Sequence, residues 1–239
     1  MLTTVVIAVV LPLYVFAAGS VGIPYTLVTG NARLLYWLSR LGVRLGFALA
    51  RIRIVLHGRE NLPAEPHFIY MMNHNSNLDV PAVFLHLPGE VRVLGKKEVF
   101  KLPVLATAMR LGGFVPVDRS NRDSAIASIR NAARLAAEGA SFLIAPEGTR
   151  SRDGKLLRFK KGGFYMAVES EVPVLPITVV GAYELMPPGS FAIRSGTIDI
   201  YFHEPIDTKE LGPSGRVELM KRVRVPMEET LSRYGYGAT

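Results

Sequence analysis

The 239-residue sequence contains no cysteine. Disulfides, thiolate metal sites and cysteine nucleophiles are therefore excluded, and cysteine usage assigns no redox compartment. Charge is absent from the first 32 residues, and no acid appears before Glu60. Between those limits stand Arg33, Arg40, Arg44, Arg51, Arg53 and Arg59, so most of the net charge of +8 lies in the first quarter of the chain. No second histidine lies at ligand spacing from His74, which argues against a metal there. No Gly-x-Ser-x-Gly turn surrounds Ser76, which argues against a serine nucleophile. Internal repeats, low-complexity tracts and long linkers are also missing.

Apolar residues, by contrast, are plentiful: hydrophobic side chains make up 49% of the chain. Met1 to Gly30 is mostly apolar, and residues 2–28 exceed the roughly 20 needed to span a bilayer. A cleaved signal peptide would carry a basic segment before its apolar run, and none precedes this one. A buried core helix is a second alternative; a membrane anchor is the reading the composition favours. Pro12 and Pro24 predict kinks or breaks, giving either one bent span or a re-entrant hairpin. If the segment crosses, the arginines after it place the bulk of the protein on the cytoplasmic side. Arg33 to Arg44 reads as a basic amphipathic helix in the membrane interface, with Arg33, Arg40 and Arg44 on one face. The bland reading is a second anchor helix packed on the first. Arginines interleaved with Leu, Trp and Phe favour a membrane surface over nucleic acid.

From about residue 54 short apolar runs alternate with helical patterns. The division expected is a membrane anchor with a basic interfacial helix over 1–53 and an α/β domain over 54–239. Strands are predicted at His67–Met72, Val91–Gly95, Gly113–Val117, Ser141–Ala145, Val174–Val180 and Thr197–Phe202. Helices are predicted at Val80–Leu87, Arg122–Glu138 and Ser214–Arg233, the last interrupted or kinked near Pro226. Residues 96–112 read as helical or irregular. The fold class is α/β, with a mixed, largely buried sheet flanked by helices.

Three strand exits carry polar groups. At the first, Asn73-His-Asn-Ser-Asn-Leu-Asp79 sets His74 five positions before Asp79. A turn there lets the carboxylate take one ring N–H and leave the other nitrogen as a general base. Chance alone supplies about 0.13 such pairs in a chain of this composition, so the spacing by itself is not specific. Ser76 to Asp79 also fits a capping box. At the second exit, Gly112 to Arg119 ends in an acid and a base. At the third, Leu143 to Ser151 holds a tight turn in which Gly148 exposes backbone N–H groups and Arg150 is suited to a phosphate. An ordinary salt bridge explains either arginine alone; three polar exits together describe a convergent site.

These blocks are together specific. Asn73-His74-x4-Asp79, Phe114-Val-Pro-Val-Asp-Arg119, Pro146-Glu-Gly-Thr-Arg-Ser151 and Val172-Pro-Val-Leu-Pro176 resemble, in order, the four motifs of the glycerolipid acyltransferase family. The nearest branch is the 1-acylglycerol-3-phosphate acyltransferases. Leu94–Pro103 and Phe159–Gly162 resemble linking segments of that family, and the likeness runs from about residue 55 to 190. Ala145 departs from the family's usual phenylalanine and Pro116 from a more β-branched block, which affects local packing alone.

The resemblance implies that His74 is the general base and Asp79 its orienting partner. The acceptor's hydroxyl would attack an acyl thioester directly. Arg119 and Arg150 would bind the acceptor's phosphate, with Lys96 a further candidate. Glu147, Gly148 and Thr149 would hold the acceptor or shape the turn beside His74. Val172 to Pro176 would support an acyl channel. A backbone N–H near Gly148 is the candidate oxyanion donor. Neither a cofactor nor a metal is implied. The partners are the bilayer, a lysophospholipid acceptor, and acyl carrier protein or coenzyme A as carrier of the donor, on the cytoplasmic face of the cell membrane. Other acceptors (glycerol 3-phosphate, another lysophospholipid, a lyso-aminolipid) and a non-catalytic lipid-binding protein are the alternatives.

Overall fold

The structure, a computed structural model, describes residues 2–65, 67–212 and 215–236. Two helices come first, α1 (Leu2–Thr29) and α2 (Arg33–Ala50). The remaining elements alternate: β1 (Ile52–His57), β2 (Ile69–Met72), α3 (Asp79–His86), β3 (Val91–Lys96), α4 (Leu105–Leu111), β4 (Val115–Val117), α5 (Arg122–Ala137) and β5 (Ser141–Ile144). Then follow α6 (Lys161–Ser170), β6 (Val174–Val180), α7 (Ala182–Leu185), β7 (Gly196–Phe202) and α8 (Arg216–Arg233).

The seven strands form one sheet in the order β1-β7-β6-β2-β5-β3-β4. All neighbours are parallel except β6 and β7. The fold is therefore the mixed α/β sheet that the alternating pattern predicts. The central strands are buried on both faces and read as continuous apolar runs, as a parallel sheet covered by helices requires. Alternation still sorts their side chains. Tyr70, Met72 and Leu143 join a core with α1, α2 and α3. Ile69, Met71, Phe142 and Ile144 join a second core with α5, α6 and α8.

The N-terminal helices form an antiparallel hairpin turned at Gly30 (φ 68°). Neither Pro12 nor Pro24 breaks α1, contrary to the expected interruption. Each removes one i→i−4 bond, and packing on α2 offsets the loss. The Tyr14 hydroxyl donates to Leu38 O at 2.7 Å, and Gly42 lets the Tyr14 ring lie on α2, where a Cβ would come within 2.6 Å. A second helix packed on the first is thus what forms. Its arginine face turns partly toward the sheet domain: Arg40 donates to Leu87 O and Gly89 O over the Phe84 ring, and Arg33 lies 3.9 Å from Glu90. Pro226 does not interrupt α8 either; Ser214, the predicted start of that helix, lies outside the described residues.

Candidate active site

The strands β2 and β5 are neighbours and end at the same edge of the sheet. After β2 the chain turns sharply through Asn73 to Leu78 into α3. Asn73 secures the turn from β6: its Nδ2 donates to Val179 O at 2.9 Å and its Oδ1 accepts from Val179 N at 2.7 Å. Asp79, fully buried, is the centre of the turn. Its Oδ2 accepts from His74 Nδ1 at 2.9 Å and from the backbone N–H groups of Asn75 and Ser76, each at 2.7 Å. One carboxylate therefore holds both the turn and the imidazole. Helix α3 starts at Asp79 with Leu78 as its N-cap and no side-chain cap bond, so the reciprocal capping box on Ser76 does not form. With Nδ1 donating to a carboxylate, the imidazole keeps Nε2 as its acceptor nitrogen.

The turn after β5 is bolted to the same histidine. Glu147 Oε1 accepts from the His74 backbone N–H at 2.6 Å, and Oε2 accepts from Leu157 N at 2.8 Å. Ser151 N returns a bond to His74 O at 2.8 Å. Both Glu147 oxygens are thus occupied by backbone donors, and the side chain shapes the turn. Burial pushes its carboxyl up to about 7, against the opposing pull of the two N–H donors. Gly148 has φ 68°, a left-handed conformation that calls for glycine. Its N–H is already given to Ala145 O at 3.0 Å, which removes it as a free oxyanion donor. Thr149 is exposed and Arg150 half-buried on the same turn.

Two cavities flank this edge on opposite faces of the sheet. One, of about 310 Å³, lies between the α1–α2 hairpin and the domain. Leu11, Val15, Phe47, Ala108 and Leu78, the residue before Asp79, are among its walls, and no charged side chain lines it. The other, of about 700 Å³, lies between α5 and α6 and reaches Pro146 and Gly148, the neighbours of Glu147. Its floor is apolar, with Leu94, Ile129 and Ile144. Around it stand Arg119, Arg122, Arg130, Lys160, Lys161 and Arg216, with no acid.

The structure brings His74, Asp79, Glu147 and Gly148 together, and places Arg119 in the wall that Gly148 shares. It sets Arg150 and Lys96 outside both cavity linings; Lys96 faces solvent 3.6 Å from Glu98. Asp118, beside Arg119, is held by Lys97 at 2.6 Å, and that bond keeps its carboxyl well below the usual range. Sequence reasoning passed over the cations of α5, α6 and α8. Lys160 and Lys161 stood in a family-like segment, whereas Arg216 carries no local signal.

A His–Asp pair at a strand end of an open α/β sheet, with an apolar cavity reaching Leu78 and a cationic one reaching Gly148, defines a candidate active site of the kind such sheets carry. Among the described residues no cluster of His, Asp and Glu could hold a metal ion. Comparison with known proteins agrees. The Acyltransferase family profile matches residues 53–180, more than half of the chain, and the chain belongs to that family. It is 39% identical over 153 residues to the chloroplastic 1-acyl-sn-glycerol-3-phosphate acyltransferase BAT2 of Brassica napus, covering 63% of this chain and 44% of that protein. With the 1-acyl-sn-glycerol-3-phosphate acyltransferase of Saccharomyces cerevisiae it shares 32% identity over 182 residues, 75% of this chain and 60% of the relative. The chain thus spans roughly half the length of these curated relatives. Its structure is similar to the crystal structure of the 1-acyl-sn-glycerophosphate acyltransferase PlsC of Thermotoga maritima, with a TM-score of 0.77 and 28% identity, over 96% of this chain and 97% of that one.

Proposed function

We propose that the protein transfers a fatty acyl chain from an acyl thioester to the sn-2 hydroxyl of 1-acylglycerol 3-phosphate, forming phosphatidate for phospholipid synthesis. The observation that carries this reading is the His74–Asp79 bond, with Leu78, next to Asp79, in the wall of the uncharged cavity and Gly148, next to the Glu147 that holds His74, in the wall of the cationic one. Nε2 of His74 takes the proton of the acceptor hydroxyl as its oxygen bonds to the thioester carbon. The tetrahedral intermediate collapses, the carbon–sulfur bond breaks, and the departing thiolate recovers the proton from the imidazolium. Asp79 stays ionised, fixing the tautomer and stabilising the positive ring.

The acyl chain fits the uncharged cavity beside Leu78, and the acceptor's phosphate fits Arg119 at the mouth of the cationic one. Arg150, on the Glu147 turn, and Lys96 complete the set of cations proposed for the phosphate. One phosphate needs few of these groups. The surplus of Arg122, Arg130, Lys161 and Arg216 suits the phosphates of a carrier protein or coenzyme A thioester. A neutral lyso-aminolipid acceptor would leave this charge unused.

The hairpin is read as the membrane seat. Helix α1 is apolar and long enough to cross a bilayer, yet it lies along its own domain. Thr4 bonds Ile193, and a Cβ at Gly19 would strike Val104. Meanwhile Val5, Val9, Leu13 and Phe16 point outward in one stripe. Such a helix is suited to lying in one leaflet, on the cytoplasmic face, next to an acceptor that never leaves the bilayer. The test is His74→Ala in purified, membrane-reconstituted protein. Transfer to lysophosphatidate is expected to fall by about 10²–10⁴-fold with the fold intact by circular dichroism. Unchanged transfer would reject the mechanism; turnover with a different acceptor alone would reject the substrate.

A further inference from the structure

Residues 186–195, between α7 and β7, project from the active-site edge and carry Phe191, 86% exposed. An aromatic ring left so far in water at a functional edge calls for a partner. The projection is not a loose tail. Ser190 N donates to Pro187 O at 3.0 Å and Ala192 N to Ser190 Oγ at 3.0 Å, which holds the crest, and Arg194 N closes the base onto Leu185 O at 2.9 Å. Both flanks are tied to elements already described. At one end Met186 O accepts from Ser76 Oγ of the catalytic turn at 2.8 Å. At the other, Ile193 N donates to Thr4 Oγ1 of α1 at 3.2 Å.

We propose that this loop is a second bilayer contact, with Phe191 entering the lipid surface beside α1 and holding the catalytic edge against the membrane. The proposal rests on the reading of α1 as membrane-seated. Three features favour lipid as the occupant. The loop is bonded to α1 at Thr4, next to Val5, which is 59% exposed and begins the outward apolar stripe. From 185 to 198 the chain carries Arg194 and no acid, which suits anionic headgroups. The crest is already ordered, so little conformational freedom is lost on insertion. On the far flank α1 touches the loop before α4, where Leu102 is 51% exposed beside Lys101. The apolar edge thus continues on both sides of the uncharged cavity.

The experiment uses the full chain with its single tryptophan removed (Trp37→Phe), carrying either Phe191→Trp or Phe16→Trp, on vesicles of phosphatidylethanolamine and phosphatidylglycerol. Both indoles are expected to shift to shorter emission wavelength and to be quenched by lipids brominated on the acyl chain. If Phe16→Trp responds and Phe191→Trp keeps the emission of an indole in water, the loop proposal is overturned and the seat of α1 stands. If neither responds, both readings fall. A second arm measures Phe191→Ser. Its kcat/KM is expected to drop about tenfold on acceptor embedded in vesicles and to hold on a short-chain acceptor below its micelle concentration. Equal loss on both acceptors would show a disturbed catalytic turn instead and would overturn the proposal.

Discussion

The two faces of the sheet are made from the same strands and do opposite things. On the α1–α2 face the cavity wall is uncharged; on the α5–α6 face six cations ring an apolar floor. Only the side-chain alternation of strands such as β2 and β5 separates them. The proposed reaction would thereby be divided between the faces, with the acyl chain on one side and the phosphates on the other. His74 is fixed at the strand end because Asp79 holds its ring from α3 and Glu147 holds its backbone from the β5 turn.

Three substitutions test that division. The largest effect is expected at the strand end itself. Glu147 has its carboxyl raised from the ordinary 4.5 to about 7 by burial. The folded protein therefore keeps a proton there that the unfolded chain has already released. That contribution is full below about pH 4.5 and is lost as pH rises through about 7, by up to about 3 kcal/mol. Chemical denaturation of Glu147→Gln from pH 5 to 8 should show a flatter stability profile than the parent. Parallel profiles would mean that the carboxyl is ionised throughout.

Next comes the cationic face. Arg119→Ala should reduce kcat/KM for lysophosphatidate about 30-fold, roughly 2 kcal/mol, without changing preference among acyl chains. The smallest effect belongs to the apolar face. A Cβ at Gly46 would sit 3.4 Å from Leu11, in ordinary contact, so Gly46→Leu fits locally while filling the cavity. It should cost about tenfold with long-chain donors and little with short ones. A crossed result, with Arg119→Ala altering chain preference or Gly46→Leu weakening the phosphate-bearing acceptor, would break the separation of the two faces.

Much of this arrangement was legible before the structure. Val174–Val180 and the run ending at Met72 announce buried strands because no charged residue interrupts them. The pairing of His74 with Asp79 is local and survives as read. Other elements were masked by their composition. In Arg51-Ile-Arg-Ile-Val, the arginines of β1 looked like the tail of the basic helix. Helix α6 was missed because Gly162 and Gly163 argue against a helix; a Cβ on Gly163 would meet Ile144 at 2.5 Å, so close packing on β5 outweighs propensity. Arg216 reaches the cationic cavity only because α8 packs beside α6. No spacing in the sequence encodes that approach.

The pairing of β1 with β7 has a consequence for how the molecule is made. Residues Ile52 to His57 find their partners at Gly196 to Tyr201, and Thr4 finds its partner at Ile193. These pairings are long-range, so β1 cannot take its place in the sheet until β7 is available. The inner face of the hairpin is covered by α3 and α4, which lie much nearer to it in the chain. The hairpin can therefore find its cover from segments close to it in the chain, while the β1 edge of the sheet is completed only with β7.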